Sequence, residues 1–139
     1  MGYRLLLNEW VKLQRDGETI YLAGIDDAHY YRMENFHRAA QDIPAGTCSI
    51  LLSHTPEAYR HAAHADFNLM LSGHTHGGQV WVPGLGTPVV PSRYGQKYAG
   101  GLCQGPHCPV LVSRGVGMAI LPVRFGVPPE IGLVTMVRA

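Results

Sequence analysis

Two apolar runs of strand length constrain this chain more than any other feature, because each ends abruptly in histidine. Ser49-Ile50-Leu51-Leu52-Ser53 closes on His54-Thr55-Pro56-Glu57, and Phe67 to Leu71 closes on Gly73-His74-Thr75-His76-Gly77-Gly78-Gln79. Short apolar runs bounded by turn-forming residues read as buried strands. Glu57 to Ala65, between them, reads as a short helix. Strand, helix, strand is a βαβ unit, whose crossover is right-handed and leaves both strand C-termini at one edge of a parallel sheet. Ligands of open α/β sheets gather at that edge. Glycines around the His-x-His pair allow a sharp loop that aims both rings at one point. Neutral imidazole is the commonest protein ligand for zinc and related ions. An isolated His-x-His also occurs on exposed strands and in hydrogen-bonded loops, but here a second histidine loop leaves the same edge. His54, His74 and His76 are therefore candidate ligands of a shared metal site.

With those residues in place, the chain resembles the calcineurin-like metallophosphoesterases. Leu52-Ser53-His54-Thr55-Pro56 and Ser72-Gly73-His74-Thr75-His76-Gly77-Gly78-Gln79 are similar to the last two metal motifs of that family. Val112-Ser113-Arg114-Gly115-Val116-Gly117, Leu121-Pro122-Val123-Arg124-Phe125 and Pro128-Pro129-Glu130-Ile131 resemble one bacterial branch, whose members are often membrane-tethered or exported. The resemblance runs from about Leu5 to Arg138. It implies half of a two-sheet αββα sandwich, with mixed sheets and flanking helices. Residues 1–139 would form the C-terminal portion of such a domain, without the N-terminal half and its first three metal motifs. No Asp-x-His is expected after an early strand, and no Gly-Asp-x-x-Asp and no Gly-Asn-His-Asp or Gly-Asn-His-Glu occurs.

The resemblance also implies a function: hydrolysis of a phosphate ester by water activated between two divalent ions, manganese, zinc or iron. His54 and His74 would serve one ion and His76 the other. Two adjacent dications need carboxylates to offset their repulsion, and the carboxylate motifs lack counterparts, so at most one ion and negligible turnover are expected of this chain alone. Arg114 and Arg124 are candidate phosphate contacts, since a guanidinium can grip phosphate oxygens bidentately; pinning loop carbonyls is the competing role. A non-catalytic metal-binding or oligomerising module is the alternative function. An unrelated metallohydrolase or a cupin would need further ligands at strand spacing, and the intervening helix argues against a cupin.

Composition excludes other classes. With 11 basic and 10 acidic residues the net charge is +1 and no basic cluster stands out, so nucleic-acid binding gains no electrostatic support. No apolar run approaches the ~20 residues that span a bilayer, and no charged start leads into a signal core. These features leave the compartment open. A sandwich lacking one half would expose apolar surface, so self-association is expected, and a separately encoded N-terminal half is a further candidate partner.

Elsewhere, residues 3–7, 10–14 and 19–24 read as strands, with Asp16-Gly17 turning the second into the third. Asp26 or Asp27 orders the next loop or ligates a metal, and a helix follows from about Met33 to Asp42. Gln79 to Val82 reads as a strand, and the loop 83–96 as a determinant of substrate selectivity. Residues 98–102 and 109–112 read as a hairpin and Ile131 to Val137 as a final strand, with the strands after Gln79 antiparallel. Cys48 reads as a small core residue; Cys103 and Cys108 either face each other across the hairpin tip, with His107 nearby, or stay free. His61 and His64 share a solvated helix face, while His29 and His37 read as surface or loop residues.

Overall fold

The computed structural model describes residues 2–27, 32–105 and 108–137. Strands β1 (Glu9–Arg15) and β2 (Glu18–Gly24) form a hairpin through Asp16 and Gly17, at φ 51° and 82°. Two successive positive φ values match the twist of the flanking strands, which is why Asp-Gly turns a hairpin tightly. Helix α1 (Phe36–Ala40) leads to β3 (Cys48–Ser53), which lies parallel to β2. A 3₁₀ turn at Pro56–Ala58 and helix α2 (Tyr59–His64) then cross to β4 (Leu69–Ser72), parallel to β3. Strands β5 (Gly101–Cys103) and β6 (Val110–Val112) are antiparallel to each other, and the sheet order is β1-β2-β3-β4-β6-β5.

Register decides which side chains meet the helices. Leu51 stands between Ala23 and Met70, and Met70 stands next to Val110. All four are fully buried, and with Tyr59, Ala62, Phe67 and Tyr98 they make the core on the helix side of the sheet. The alternate residues Leu52, Leu69, Leu71 and Leu111 point to the opposite face and stay half-exposed. Residues 133–137 cross that face over Ile50, Leu69 and Leu111, and residues 4–6 cover Leu52 and Leu71. A mixed sheet with helices on one side and an apolar, thinly covered second side is consistent with part of a two-sheet sandwich. The α/β fold class is borne out.

Several elements differ from expectation. Residues 3–7 form no strand, because β2 is already paired with β1 on one side and β3 on the other. Leu6 instead packs onto Gly24, where an added Cβ would lie 2.6 Å from the Leu6 Cβ. The helix of 33–42 is confined to Phe36–Ala40: the Asn35 side chain accepts from the Arg38 N–H at 2.9 Å to start it, and Asp42 at φ 65° follows its end. Gln79 to Val82 makes only isolated bridges, Val80 to Phe125 and Val82 to Gly86. Ile131 to Val137 is not a strand, since among the described residues no backbone hydrogen bond reaches it. Antiparallel pairing holds for β5 with β6 but fails for β6 beside β4, which is parallel.

Cys48 is exposed, because strand alternation gives the inward position to Ser49. Cys103 and Cys108 are free thiols whose pKa values burial raises, and His107 lies outside the described residues. Among the described residues no helix is long and apolar enough to cross a membrane.

Leu51→Ala should lower the unfolding free energy by about 2–5 kcal/mol, the cost of truncating a buried leucine that cannot fully repack. Leu133→Ala, at a side chain 94% exposed, should change it by less than about 0.5 kcal/mol in the same urea titration.

Candidate metal centre

The parallel strands release their chains at one edge: Leu52 pairs with Gly24, and Ser72 pairs with both Ser53 and Val112. The two histidine loops are fastened to each other at their roots. The His54 carbonyl accepts from the Ser72 hydroxyl at 3.2 Å and from the Gly73 N–H at 3.1 Å. Beyond that tie the rings meet, with His54 Nε2 and His74 Nδ1 3.1 Å apart and the ring planes inclined at 72°. Two nitrogens ligating one ion at ~2.1 Å stand roughly 3.0–3.4 Å apart. The pair therefore fits two coordination positions of a single cation, and equally fits a hydrogen bond between one protonated and one bare nitrogen.

His76 is placed differently. Its Nδ1 donates to the Gly117 carbonyl at 3.3 Å, which leaves Nε2 as the lone-pair nitrogen of the neutral ring. A backbone carbonyl holding the second ring nitrogen is the usual way an imidazole ligand is oriented. His76 does not join the His54–His74 pair, and among the described residues no group of three or more His, Cys, Asp or Glu converges. The residues described fit one ion by two nitrogens and do not supply the carboxylates of a two-ion centre.

The loop that carries these rings is held in an unfavourable backbone state. His74, His76 and Gln79 have φ of 70°, 50° and 62°, and Gly77 and Gly78 have 63° and 72°. Left-handed angles cost non-glycine residues roughly 1–2 kcal/mol each, so the surroundings must impose them. Buried Thr75 does part of this: its hydroxyl donates to the Ala99 carbonyl at 2.8 Å and accepts from the Gly77 N–H at 3.4 Å. Close packing does the rest. A Cβ at Gly77 would sit 2.6 Å from Val127 Cγ1, and one at Gly78 would collide with Thr87 and the Val89 carbonyl. The 83–96 loop is thus seated on the histidine loop, with the Thr87 hydroxyl donating to the Gly77 carbonyl at 3.3 Å.

Arg114 and Arg124 both serve the loops beside the site. Arg114 pairs with Glu130 at 2.7 Å, and Glu130 also accepts from the Arg114 backbone N–H at 2.8 Å. Arg124 donates to the carbonyls of Arg114 at 2.7 Å, Gly115 at 3.1 Å and Gly117 at 2.9 Å. The hydrogen bonds of Arg114 hold the Glu130 carboxyl below its ordinary range, and this pairing across 16 residues is not legible in the sequence. Asn8 was missed as well. Its side-chain oxygen accepts from the N–H groups of Asp26 at 3.1 Å and Asn35 at 2.8 Å, and its amide donates to the Met33 carbonyl.

Asp26 orders its loop as expected, accepting from the Asp27 N–H at 2.7 Å. Asp27-Ala28-His29 does have Asp-x-His spacing after β2, but Ala28 and His29 lie outside the described residues. His61 packs against Phe36 with ring centroids 5.1 Å apart, His64 donates to the Arg60 carbonyl at 2.8 Å, and His37 is exposed.

A mixed α/β sheet thus carries two histidine loops tied together at its carboxyl edge. Curated proteins of similar sequence share one kind of name. The chain is 37% identical to the metallophosphoesterase YkuE of Bacillus subtilis over 97% of this chain and 47% of that protein. It is 33% identical to the phosphodiesterase YaeI of Escherichia coli over 98% of this chain and 48% of that one. A metallophosphoesterase of Aquifex aeolicus is 30% identical over 97% of this chain and 51% of its own length. Over nearly its whole length the chain is similar to metallophosphoesterases, and it spans about half the length of the curated relatives it matches. No family model matches the chain, and no solved structure does.

The Glu130 contact sets a pH dependence. A carboxyl whose folded pKa lies below its unfolded value contributes stability that is full above the unfolded pKa and lost as pH falls through the folded one. The gap in urea midpoint between wild type and Glu130→Gln should be constant near neutrality and should close as pH falls below about 4.5, the ordinary glutamate value. A gap that does not narrow at all as pH falls would assign it to packing instead.

Proposed function

We propose that this chain supplies the histidine side of a metal-dependent phosphoesterase site, with His54 and His74 holding one divalent cation and His76 offering its Nε2 to a second. The observation that supports this most is the 3.1 Å separation of the His54 and His74 nitrogens at the sheet edge. The resemblance implies manganese, zinc or iron, and of these zinc and iron suit imidazole ligands best. A cation there would polarise a phosphoryl oxygen and acidify an attacking water. The chain's own contribution is orientation. The Gly117 carbonyl fixes the tautomer of His76, and the tie at the His54 carbonyl fixes the distance between the two loops.

The substrate is a phosphate ester, and the name of the Escherichia coli relative favours a diester. Carboxylate ligands for a complete two-ion centre would come from a polypeptide outside this stretch, in keeping with relatives about twice as long. The phosphate-gripping role expected of Arg114 and Arg124 is not carried into this proposal, because both guanidinium groups hold loop atoms.

Calorimetric titration with manganese or zinc should find no more than about one equivalent bound. Either His54→Ala or His74→Ala should weaken uptake at least tenfold, on the order of what loss of a ligand costs, while His64→Ala should leave it unchanged. Turnover of bis-p-nitrophenyl phosphate by the chain alone should stay at background. Uptake indifferent to both substitutions, or turnover at an enzyme's rate, would sink the reading.

One observation favours the alternative of an oligomerising module. Residues 131–137 carry Ile131, Leu133 and Val137 at 90%, 94% and 84% exposure on an unpaired backbone. Unpaired apolar segments of this kind recruit strands from other chains. Light scattering at ~100 µM should then show association that Leu133→Lys with Val137→Lys reduces; a monomer at that concentration excludes this reading.

A further inference from the structure

We propose that the cleft beside His76 binds the hydrocarbon part of an amphiphilic phosphate ester, so that the substrate carries an alkyl or acyl group next to its phosphate. The proposal rests on the phosphoesterase reading above for the phosphate end only. The cleft encloses about 380 Å³, within the range of small-molecule sites. Thr75, His76 and Gln79 stand in its wall, and the rest is apolar, with Val80, Pro88, Val89, Ile120, Leu121 and Val123 contributing most of it. Among the described residues no aspartate, glutamate, lysine or arginine lines it.

The lip of this cleft, residues 116–123, is unusual in two independent ways. It exposes Val116 at 65%, Met118 at 53%, Leu121 at 62% and Ile120 completely, a cluster of apolar side chains of the kind that marks a contact surface. Ile120 also sits at φ 56°. A β-branched residue in the left-handed region is a true outlier, and such strain concentrates where a ligand is gripped.

The strain is imposed by the histidine motif itself. The Gln79 amide donates to the carbonyls of Leu121 at 3.0 Å and Val123 at 3.2 Å, and its oxygen accepts from the Ala119 N–H. His76 and Arg124 hold the Gly117 carbonyl. Four backbone atoms of 117–123 are thus held by side-chain hydrogen bonds around an isoleucine that stands in water, beside the His76 ring. An apolar wall that begins at the phosphate end of the site suits a hydrocarbon tail and offers nothing to a sugar or a nucleobase.

The test is calorimetric titration of the full chain, with manganese present, using octyl phosphate below its micelle concentration and methyl phosphate as the pair. Each buried methylene is worth roughly three- to fourfold in affinity, so burying even two predicts octyl phosphate at least tenfold tighter. Leu121→Ser and Ile120→Gly should each cut that preference by threefold or more and leave methyl phosphate unaffected. Glycine accepts φ 56° freely, so Ile120→Gly should fold at least as stably, judged by its urea midpoint, and misfolding cannot explain the loss.

Equal affinity for the two phosphates, absence of octyl phosphate binding, or a preference untouched by both substitutions overturns the proposal. Pelleting with phosphatidylcholine vesicles distinguishes the remaining source of hydrocarbon: if the substitutions abolish pelleting but spare the octyl preference, the lip is a bilayer contact and the proposal falls. Metal uptake through His54 and His74, measured without any phosphate, decides the phosphoesterase reading separately.

Discussion

The parallel pairing of β3 with β4 is the constraint on which the rest of the site depends. It places Ser53 opposite Ser72, so the next residues of both strands, His54 and Gly73, leave the sheet together. The His54 carbonyl then accepts two hydrogen bonds from the second strand's end, and the distance between the loops is set before any side chain acts. Leu51 and Met70, buried side by side one layer below, make slippage of this register expensive, because a one-residue shift would turn both out of the core. A rigid scaffold below and an irregular loop above is the usual division of labour at a functional site.

Above that scaffold the backbone of 74–79 is strained, and the strain spreads outward through specific contacts. Gly77 and Gly78 let Val127, Arg114 and Thr87 approach the loop closely. Gln79 transmits the arrangement to 119–123, and His76 reaches Gly117 on the same segment. Arg124 gathers the carbonyls of Arg114, Gly115 and Gly117, while Glu130 neutralises Arg114. The consequence is that the histidine loop, a glycine-rich loop and an apolar lip are fastened to one another. Residues distant in sequence therefore govern where the His76 ring points.

The two faces of the sheet tell a second story. The helix side is filled by small and aromatic residues, with Ala23, Ala39 and Ala62 letting the helices sit close. The opposite side keeps Leu52, Leu69, Leu71 and Leu111 half-exposed beneath 133–137. An apolar face so thinly covered agrees with a chain that matches about half of each longer relative.

Local chemistry was legible wherever neighbours in sequence decide the outcome. Asp16-Gly17 specified a hairpin because both residues tolerate positive φ, the runs before His54 and His74 specified buried strands, and the segment between them specified a crossover helix. The family motif, carried by Gly73 to Gln79, was readable for the same reason: its glycines and histidines act on one another over a few residues. What sequence could not decide were matters of competition between distant segments. Residues 3–7 and 131–137 have strand-forming composition, yet among the described residues neither joins the sheet. The pairing of Arg114 with Glu130, the role of Asn8, the outward turn of Cys48 and the separation of His76 from the His54–His74 pair all depend on which surfaces the fold brings together. Short-range pattern determined the hairpin, the strands and helix around the histidine loops and the side chains those loops carry; only the tertiary structure, through register and long-range hydrogen bonds, decided which segments join the sheet and which side chains meet.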